Sequence, residues 1–256
     1  MKEEFVLDCE SPESTLQSVA AIFNCPPAVL REFLANPGIG EYFEANFDKF
    51  PDFKEYLYLV VEKHFGGAKP LDAVCWFHTT RVTPGTSFSE GILPLGAVLP
   101  QLKKRLVELV DDVEVRKSLE AKLDADSVAD HHYQNKTNDE LHWGPYAILV
   151  KEVAFCANQL SQHDYLGMPE IIEDICSGMG EPLSSQLIGL FEERLTPTIV
   201  KFKSFNNDDE RCISTALCYL LSHIHEGKPG GNSVYCFDGE NVPVPPADIL
   251  KVEYLN

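Results

Sequence analysis

Four consecutive residues with hydrogen-bonding side chains stand where an apolar strand is predicted to end: His78, Thr79, Thr80 and Arg81. Imidazole, hydroxyl and guanidinium groups in such a position can bind and orient a polar substrate. The surrounding residues 71–95 are predicted to form a strand, a polar turn and a short helical turn that ends at Glu90 and Gly91. No other segment carries a motif that names an activity by itself, so the functional analysis begins here.

Motifs of several well-known enzyme and metal sites are absent from the sequence. It has no G-x-S-x-G, no P-loop, no G-x-G-x-x-G after a strand and no H-E-x-x-H. His131 and His132 stand in a polar stretch that is predicted to be a loop, where adjacent histidines are usually solvated. His223 and His225 are two residues apart, so on a helix their side chains point away from each other. The sequence therefore predicts no metal site.

A pair of carboxylates, Glu170 and Asp174, falls on one face of a predicted helix at positions i and i+4. Paired carboxylates can act as acid and base when burial separates their pKa values. In so acidic a chain, a solvated helix face is the preferred interpretation.

Charge restricts the partners of the protein. Lys and Arg total 21, Asp and Glu total 40, and the net charge is −19. Nucleic acid phosphates and anionic membrane surfaces would repel such a chain, so both are disfavoured as partners. The single tight basic cluster, Lys103 to Arg105, is interpreted as a solvated helix face.

The composition is that of a folded intracellular protein. Hydrophobic residues make up 44% and charged residues 24% of the 256 residues, which predicts a packed core. None of the eight cysteines forms a C-x-x-C pair and most stand in apolar runs, so they are predicted to be buried and reduced. The N-terminus lacks an apolar signal segment, and no run reaches the length of a membrane span. These features predict a cytoplasmic protein.

Residues 1–68 are predicted to form a helical N-terminal region. Ser11 and Pro12 are a typical helix start, and a second helix runs from residue 29 to 34. This pair resembles a helix-turn-helix, but Arg31 is the one donor that its second helix offers to base edges, so a packed hairpin is favoured over DNA binding. Two further helices, at 41–47 and 53–65, precede a glycine-rich linker at 66–70.

Residues 69–256 are predicted to form an α+β domain. Strands are expected near residues 146–150, 198–202, 232–237 and 249–254, and helices near 168–176, 184–194 and 208–225. Residues 96–125 are expected to be mostly helical, with a kink or a helix end at residues 111–112 and a continuation from 113 to 123. A polar loop is expected at 129–140. Helices and strands do not alternate regularly, which argues against a doubly wound sheet.

Two segments resemble the ADP-ribosyltransferase superfamily. The apolar strand, the His-Thr-Thr-Arg run and a short helix before Gly91-Ile92-Leu93 are similar to the entry strand of its histidine-type branch, which includes poly(ADP-ribose) polymerases and diphtheria-toxin-like enzymes. Residues 240–246, Glu-Asn-Val-Pro-Val-Pro-Pro, are similar to the turn that carries the family's glutamate before a closing strand. RNA 2′-phosphotransferases and DNA-modifying toxins end in comparable turns.

The resemblance implies a small split β-sheet with helical insertions, and NAD as a substrate. It implies that His78 holds a ribose hydroxyl, that Thr79 lies near the nicotinamide amide and that Arg81 belongs to the same NAD-binding motif. Glu240 would stabilise the positive charge that develops on the ribose in the transition state. Thr79 stands where the family has glycine.

The resemblance also implies an aromatic residue that stacks on nicotinamide. Tyr146 takes this role if Gly144-Pro145-Tyr146 is the second motif of the family. Tyr165 and Tyr133 are alternatives.

The leading hypothesis is therefore NAD-dependent transfer of ADP-ribose to a macromolecule, with a protein or a small molecule favoured over nucleic acid as acceptor. The alternative is a non-catalytic interaction protein whose acidic surface binds a basic partner. A phosphotransferase or nucleotide hydrolase on the same scaffold ranks third, because basic residues that could hold a phosphate are sparse.

Overall fold

The computed structural model describes residues 4–50 and 52–255. Its α-helices are α1 (Pro12–Ile22), α2 (Pro27–Leu34), α3 (Gly38–Ala45), α4 (Phe53–Phe65), α5 (Leu95–Leu109), α6 (Val113–Asp124), α7 (His131–Asn138), α8 (Glu170–Ser177), α9 (Leu183–Arg194) and α10 (Asp209–Glu226). Its strands are β1 (Val6–Leu7), β2 (Ala73–Val82), β3 (Tyr146–Ile148), β4 (Thr196–Ser204), β5 (Cys236–Asp238) and β6 (Ile249–Tyr254).

All six strands in the described part of the chain belong to one open sheet. The order is β5-β3-β2-β4-β6, and β1 also pairs with β2. β1 is parallel to β2, with Val6 opposite Ala73, whereas β3 is antiparallel to β2, with Phe77 opposite Ile148. β2 has ten residues and is long enough to hold different partners along its length.

The predicted α+β class is confirmed. Helices α5 to α7 are inserted between β2 and β3, and α8 and α9 between β3 and β4, as expected for a sheet with helical insertions. The predicted split of the sheet is not seen. The strands form one sheet because β2 pairs with both β3 and β4.

The chain divides into two compact units, each made of three segments. Unit 1 comprises the residues up to Phe77, Ala147–Gln162 and Lys201–Phe237, and unit 2 comprises His78–Tyr146, His163–Val200 and the residues from Asp238 onward. This division differs from the boundary predicted near residue 68. The linker composition indicated a break there, but the N-terminal helices are joined to segments far along the sequence.

Helix α10 is the element on which the N-terminal helices of unit 1 pack. All nine residues from 212 to 220 are buried, and α1, α2 and α4 contact the helix. Lys54 Nζ donates a hydrogen bond to Thr215 Oγ1 at 3.2 Å, and His225 Nε2 donates one to the Leu34 carbonyl at 3.0 Å. The N-terminal helices therefore complete a core that begins some 150 residues later.

The first two helices form the packed hairpin that the sequence favoured. α2 buries Leu30 and Leu34, and Arg31, the one donor available for base edges, is bound to Glu13 at 2.9 Å. This geometry supports the hairpin interpretation over DNA binding.

We expect Ser11→Ala to lower the free energy of unfolding by about 1 kcal/mol. Ser11 Oγ accepts the Ser14 N–H at 3.1 Å, and Ser14 Oγ accepts the Ser11 N–H at 2.9 Å, so the substitution leaves a donor at the start of α1 without its partner. Urea unfolding would measure the change. Ser87→Ala, on an exposed turn, is the matched control; an equal loss in both variants would contradict the capping role.

Helices α5 to α9 share the core of unit 2. Its fully buried members include Leu106, Leu119, Tyr133, Ile175 and Phe191. Tyr133 explains why the loop predicted at 129–140 is wrong. Asp130 Oδ1 accepts the Tyr133 N–H at 3.0 Å and caps α7, and the Tyr133 ring fills the core.

The short helix predicted before Gly91 is also wrong. Residues 83–91 form turns, in which Thr86 Oγ1 donates a hydrogen bond to the Thr83 carbonyl at 2.8 Å.

Within the described residues, no helix has both the length and the apolarity needed to cross a bilayer.

Candidate functional site

His78 lies on β2 in unit 2 and contacts the next strand. Its Nδ1 is 2.7 Å from the carbonyl oxygen of Tyr146. A carbonyl oxygen can only accept, so Nδ1 carries the proton and the Nε2 lone pair of a neutral ring is left as an acceptor. The ring is therefore fixed in the tautomer that can accept a hydrogen bond from a hydroxyl group. Thr79, the next residue, is half-buried.

The pKa of His78 is lowered from its ordinary value of 6.5. Burial disfavours the charged imidazolium, and the hydrogen bond to the Tyr146 carbonyl only partly offsets this effect. The imidazole is consequently neutral at neutral pH, the state in which Nε2 can act as an acceptor.

Tyr146 contacts His78 through its main-chain carbonyl, whereas its side chain falls on the sheet face of Thr79, which lies opposite it in the register that pairs Phe77 with Ile148. The residue is 38% exposed, and its hydroxyl donates to the Leu141 carbonyl at 3.1 Å. Burial raises the pKa of Tyr146, and the carboxylates of Asp238 and Glu170 add to the shift. An accessible ring held by its own hydroxyl is suited to stacking on a flat ligand.

The two alternative tyrosines differ in accessibility. Tyr133 is fully buried, so its ring is not available to a ligand. Tyr165 is half-buried, and its ring meets that of His163 edge-on, with the centroids 4.6 Å apart. Tyr146 and Tyr165 thus remain as the aromatic candidates.

Arg81 binds main-chain carbonyl oxygens rather than facing a ligand. Its Nη1 donates to Leu166 and Gly167 at 2.7 and 3.0 Å, and its Nη2 donates to Leu195 at 2.7 Å and to Glu192. These carbonyls lie before α8 and at the end of α9, where helix carbonyls lack intrahelical partners. Although the family resemblance implied NAD binding, the Arg81 guanidinium is engaged by carbonyl oxygens of the protein itself.

The two segments that carry the family resemblance pair with each other. Ile92 and Val244 exchange both main-chain hydrogen bonds, each at 2.9 Å. Gly91 precedes this bridge at φ +89°, and a Cβ there would lie 2.0 Å from the Val244 carbonyl oxygen. Only glycine fits this close approach, which joins the polar turn after β2 to the proline-rich turn after β5.

Glu240 lies on an exposed turn that is tied to the start of β3. Glu240 and Asn241 have φ values of +50° and +63°, and the Val242 N–H donates to the Gly239 carbonyl at 2.8 Å, as in a tight hairpin turn. The Asn241 N–H donates to the Gly144 carbonyl at 2.7 Å. The turn is thereby held beside the segment that leads into Tyr146.

His78 lies on β2 and the Glu240 turn follows β5, and one other strand separates β2 from β5. β3 lies between β2 and β5, and neighbouring strands are about 4.8 Å apart, so roughly 10 Å separate the two backbones. The structure brings the His78 ring into contact with the main-chain carbonyl of Tyr146. It places the Glu240 turn after β5, on the other side of β3 from His78.

A mixed cluster of charged groups on α7 and α8 was not identified from the sequence. Lys136 Nζ contacts Asp174 Oδ2 at 2.7 Å and Glu170 Oε2 at 3.2 Å, while His163 Nδ1 lies 3.9 Å from Glu170 Oε1. The i, i+4 spacing indicated the carboxylate pair, but the expectation of a solvated face is wrong for Asp174, which is buried. The sequence does not indicate Lys136, because its polar stretch predicts a loop and not the helix α7.

The two carboxylates of this cluster have pKa shifts in opposite directions. Burial raises the pKa of Asp174 despite the neighbouring Lys136. Burial would also raise the pKa of Glu170, but the Lys136 ammonium, together with His163 and the Tyr165 hydrogen bond, holds it below its usual range. Such divergence is common where acid and base roles are divided between two groups, although structural ion pairs produce it too.

No group of three or more metal-ligating side chains is arranged around a common point in the residues that the structure describes.

Comparisons with known proteins add no family: the chain matches no family model, no curated protein and no solved structure. The function is therefore inferred from the site alone.

Proposed function

We propose that unit 2 binds NAD and transfers its ADP-ribose group to an acceptor. The observation that carries this proposal is the 2.7 Å contact between His78 Nδ1 and the Tyr146 carbonyl. It leaves Nε2 of a neutral imidazole to accept a ribose hydroxyl, and the carbonyl that orients the imidazole belongs to Tyr146, a partly exposed tyrosine. The bridge between Ile92 and Val244, which joins the two family-like segments, supports the same proposal.

In the proposed reaction, the bond between ribose C1′ and the nicotinamide nitrogen breaks. The bonding electron pair goes to that nitrogen and neutralises the pyridinium ring. A lone pair of the acceptor forms the new bond to C1′, and the acceptor's proton passes to solvent. Tyr146 would stack on the nicotinamide, Thr79 would bind its amide, and Glu240 would stabilise the positive charge on the ribose.

The charges around Tyr146 favour the nicotinamide end of NAD. The ring of NAD is a cation, and the carboxylates of Asp238 and Glu170 are close enough to affect the pKa of Tyr146. Arg81 and Lys136 are bound to carbonyl and carboxylate oxygens, so we expect main-chain N–H and hydroxyl groups to hold the pyrophosphate.

The remaining features concern compartment and acceptor. All eight cysteines are free, and burial raises the pKa of Cys75, Cys176 and Cys212 to about 12, as for inert structural thiols. We propose a cytoplasmic location on this basis. The net charge of −19 favours a protein or a small molecule over nucleic acid as acceptor.

NAD binding should depend on pH in one direction. Above pH 6.5 the affinity should be constant, because the lowered pKa of His78 keeps the ring neutral. The affinity should fall as the pH drops through that pKa, since the imidazolium loses its acceptor lone pair. Calorimetric titration with NAD measures this profile. His78→Gln, whose side chain does not titrate, should lack the acidic decline; an identical decline in the variant would exclude His78 as its source.

The direct test of the transfer is the release of nicotinamide from NAD, measured by chromatography with and without added proteins or small-molecule acceptors. Release together with a labelled acceptor supports the proposal. Absence of both NAD binding at millimolar concentration and nicotinamide release would overturn it.

A second candidate function is that of a non-catalytic interaction protein. The net charge of −19 favours it, because electrostatic complementarity accelerates and selects association with a basic partner. Capture of such a partner should weaken as salt is raised, and salt-independent capture would contradict it.

A further inference from the structure

An exposed apolar patch lies beside the candidate site in unit 2. We define the rim patch as the side chains of Leu141, Tyr146 and Val242, which are 79%, 38% and 63% exposed. A single exposed apolar side chain is ordinary, but an exposed apolar patch with a polar rim often marks a site of contact with another molecule. The patch comes from three separate segments, so it does not reflect one poorly packed loop.

Hydrogen bonds hold these three segments together. The Tyr146 hydroxyl donates to the Leu141 carbonyl at 3.1 Å, and Asn241 Nδ2 donates to Glu140 Oε2 at 3.3 Å. The Gly239 N–H donates to the Pro145 carbonyl at 2.9 Å. The segments that carry the rim patch are thus held together before any partner arrives, which reduces the backbone entropy lost on binding.

The charges of the rim patch have one sign. Residues 139–146 and 238–242 contain four carboxylates, those of Asp139, Glu140, Asp238 and Glu240, and no lysine or arginine. The single basic group of these segments is the imidazole of His142, and its Nε2 lies 3.9 Å from Asp139 Oδ2. The apolar centre is therefore edged by negative charge.

We propose that the rim patch is the docking surface for a basic polypeptide segment with apolar side chains. Apolar residues of the partner would cover Leu141 and Val242, and its arginines or lysines would meet the four carboxylates. An anionic membrane or a nucleic acid would be repelled by the same charges. The role of this segment as the ADP-ribose acceptor rests on the proposed function, whereas the binding itself does not.

The test uses the full chain and two fluorescent peptides, one with alternating arginine and leucine and one with alternating glutamate and leucine. Fluorescence anisotropy should show binding of the basic peptide alone, and this binding should weaken as NaCl rises from 50 to about 300 mM. The double variant Leu141→Ser, Val242→Ser should weaken it by about tenfold or more, because the apolar contact is removed. Val113→Ser, at a position that is 55% exposed on α6, is the matched control and should bind normally.

Equal binding by the double variant, or equal binding of both peptides, would overturn the proposal. Association of the chain with itself through these residues, detected by sedimentation and abolished by the double variant, would also overturn it by naming a second copy as occupant. Nicotinamide release with water as acceptor separates the two proposals. The double variant should keep this release of nicotinamide. If the native protein releases no nicotinamide but binds the peptide through the rim patch, the docking proposal is supported and the transfer proposal is overturned.

Discussion

His78→Ala should lower NAD-dependent turnover by about 100-fold or more while leaving the fold intact. The imidazole is held by the Tyr146 carbonyl in the tautomer that accepts a ribose hydroxyl, and alanine removes the only group in that position that the proposed mechanism uses. Loss of one pre-oriented hydrogen-bonding group at a reacting centre costs about 100-fold in turnover or more. Nicotinamide release and calorimetric NAD binding would both report the loss, and circular dichroism would confirm folding.

The control for this experiment is His132→Ala. His132 is an exposed histidine of the same unit and lies on α7. It should retain native affinity and turnover. Full activity in His78→Ala would remove the central residue of the proposed site, whereas loss of activity in both variants would indicate general destabilisation.

Arg81→Met should lower the free energy of unfolding by about 3 kcal/mol or more. Methionine keeps much of the apolar stem but leaves four main-chain carbonyl oxygens without the guanidinium that now binds them. Two of those carbonyls lie at the end of α9 and two precede α8. Loss of the hydrogen bonds from Arg81 should therefore loosen both helices. Urea unfolding followed by fluorescence measures the change.

Arg105→Ala is the matched control, because this arginine is exposed on α5. We expect it to change the free energy of unfolding by at most about 0.5 kcal/mol. If Arg81→Met were equally mild and instead weakened NAD binding, Arg81 would be a ligand after all.

Local signals in the sequence predicted most of the helices correctly. Ser11 with Pro12, and the break at Pro26 and Pro27, indicate chain geometry that depends on near neighbours only. The division into units could not be predicted in this way. It depends on contacts such as that between Lys54 and Thr215, which are 161 positions apart and leave no local pattern.

The candidate site was predicted unevenly for the same reason. His78 was identified from its residue type and context and Tyr146 from the family resemblance, and the structure places the His78 ring against the Tyr146 carbonyl. The engagement of Arg81 with distant carbonyls and the ion pairs of Lys136 are tertiary features. The polar composition of residues 131–138 predicts a loop. The structure shows a helix there because Tyr133 is buried in the core, and nothing in the local sequence indicates this burial.

The packing of the N-terminal helices against α10 has a consequence for biosynthesis. Lys54 leaves the ribosome 161 residues before its partner Thr215. At 5 to 20 residues per second, this interval lasts roughly 8 to 30 s. During that time the apolar faces of α1, α2 and α4 have no α10 to cover them. Nascent chains stalled before residue 209 should therefore recruit holding chaperones, and chains released after α10 should not.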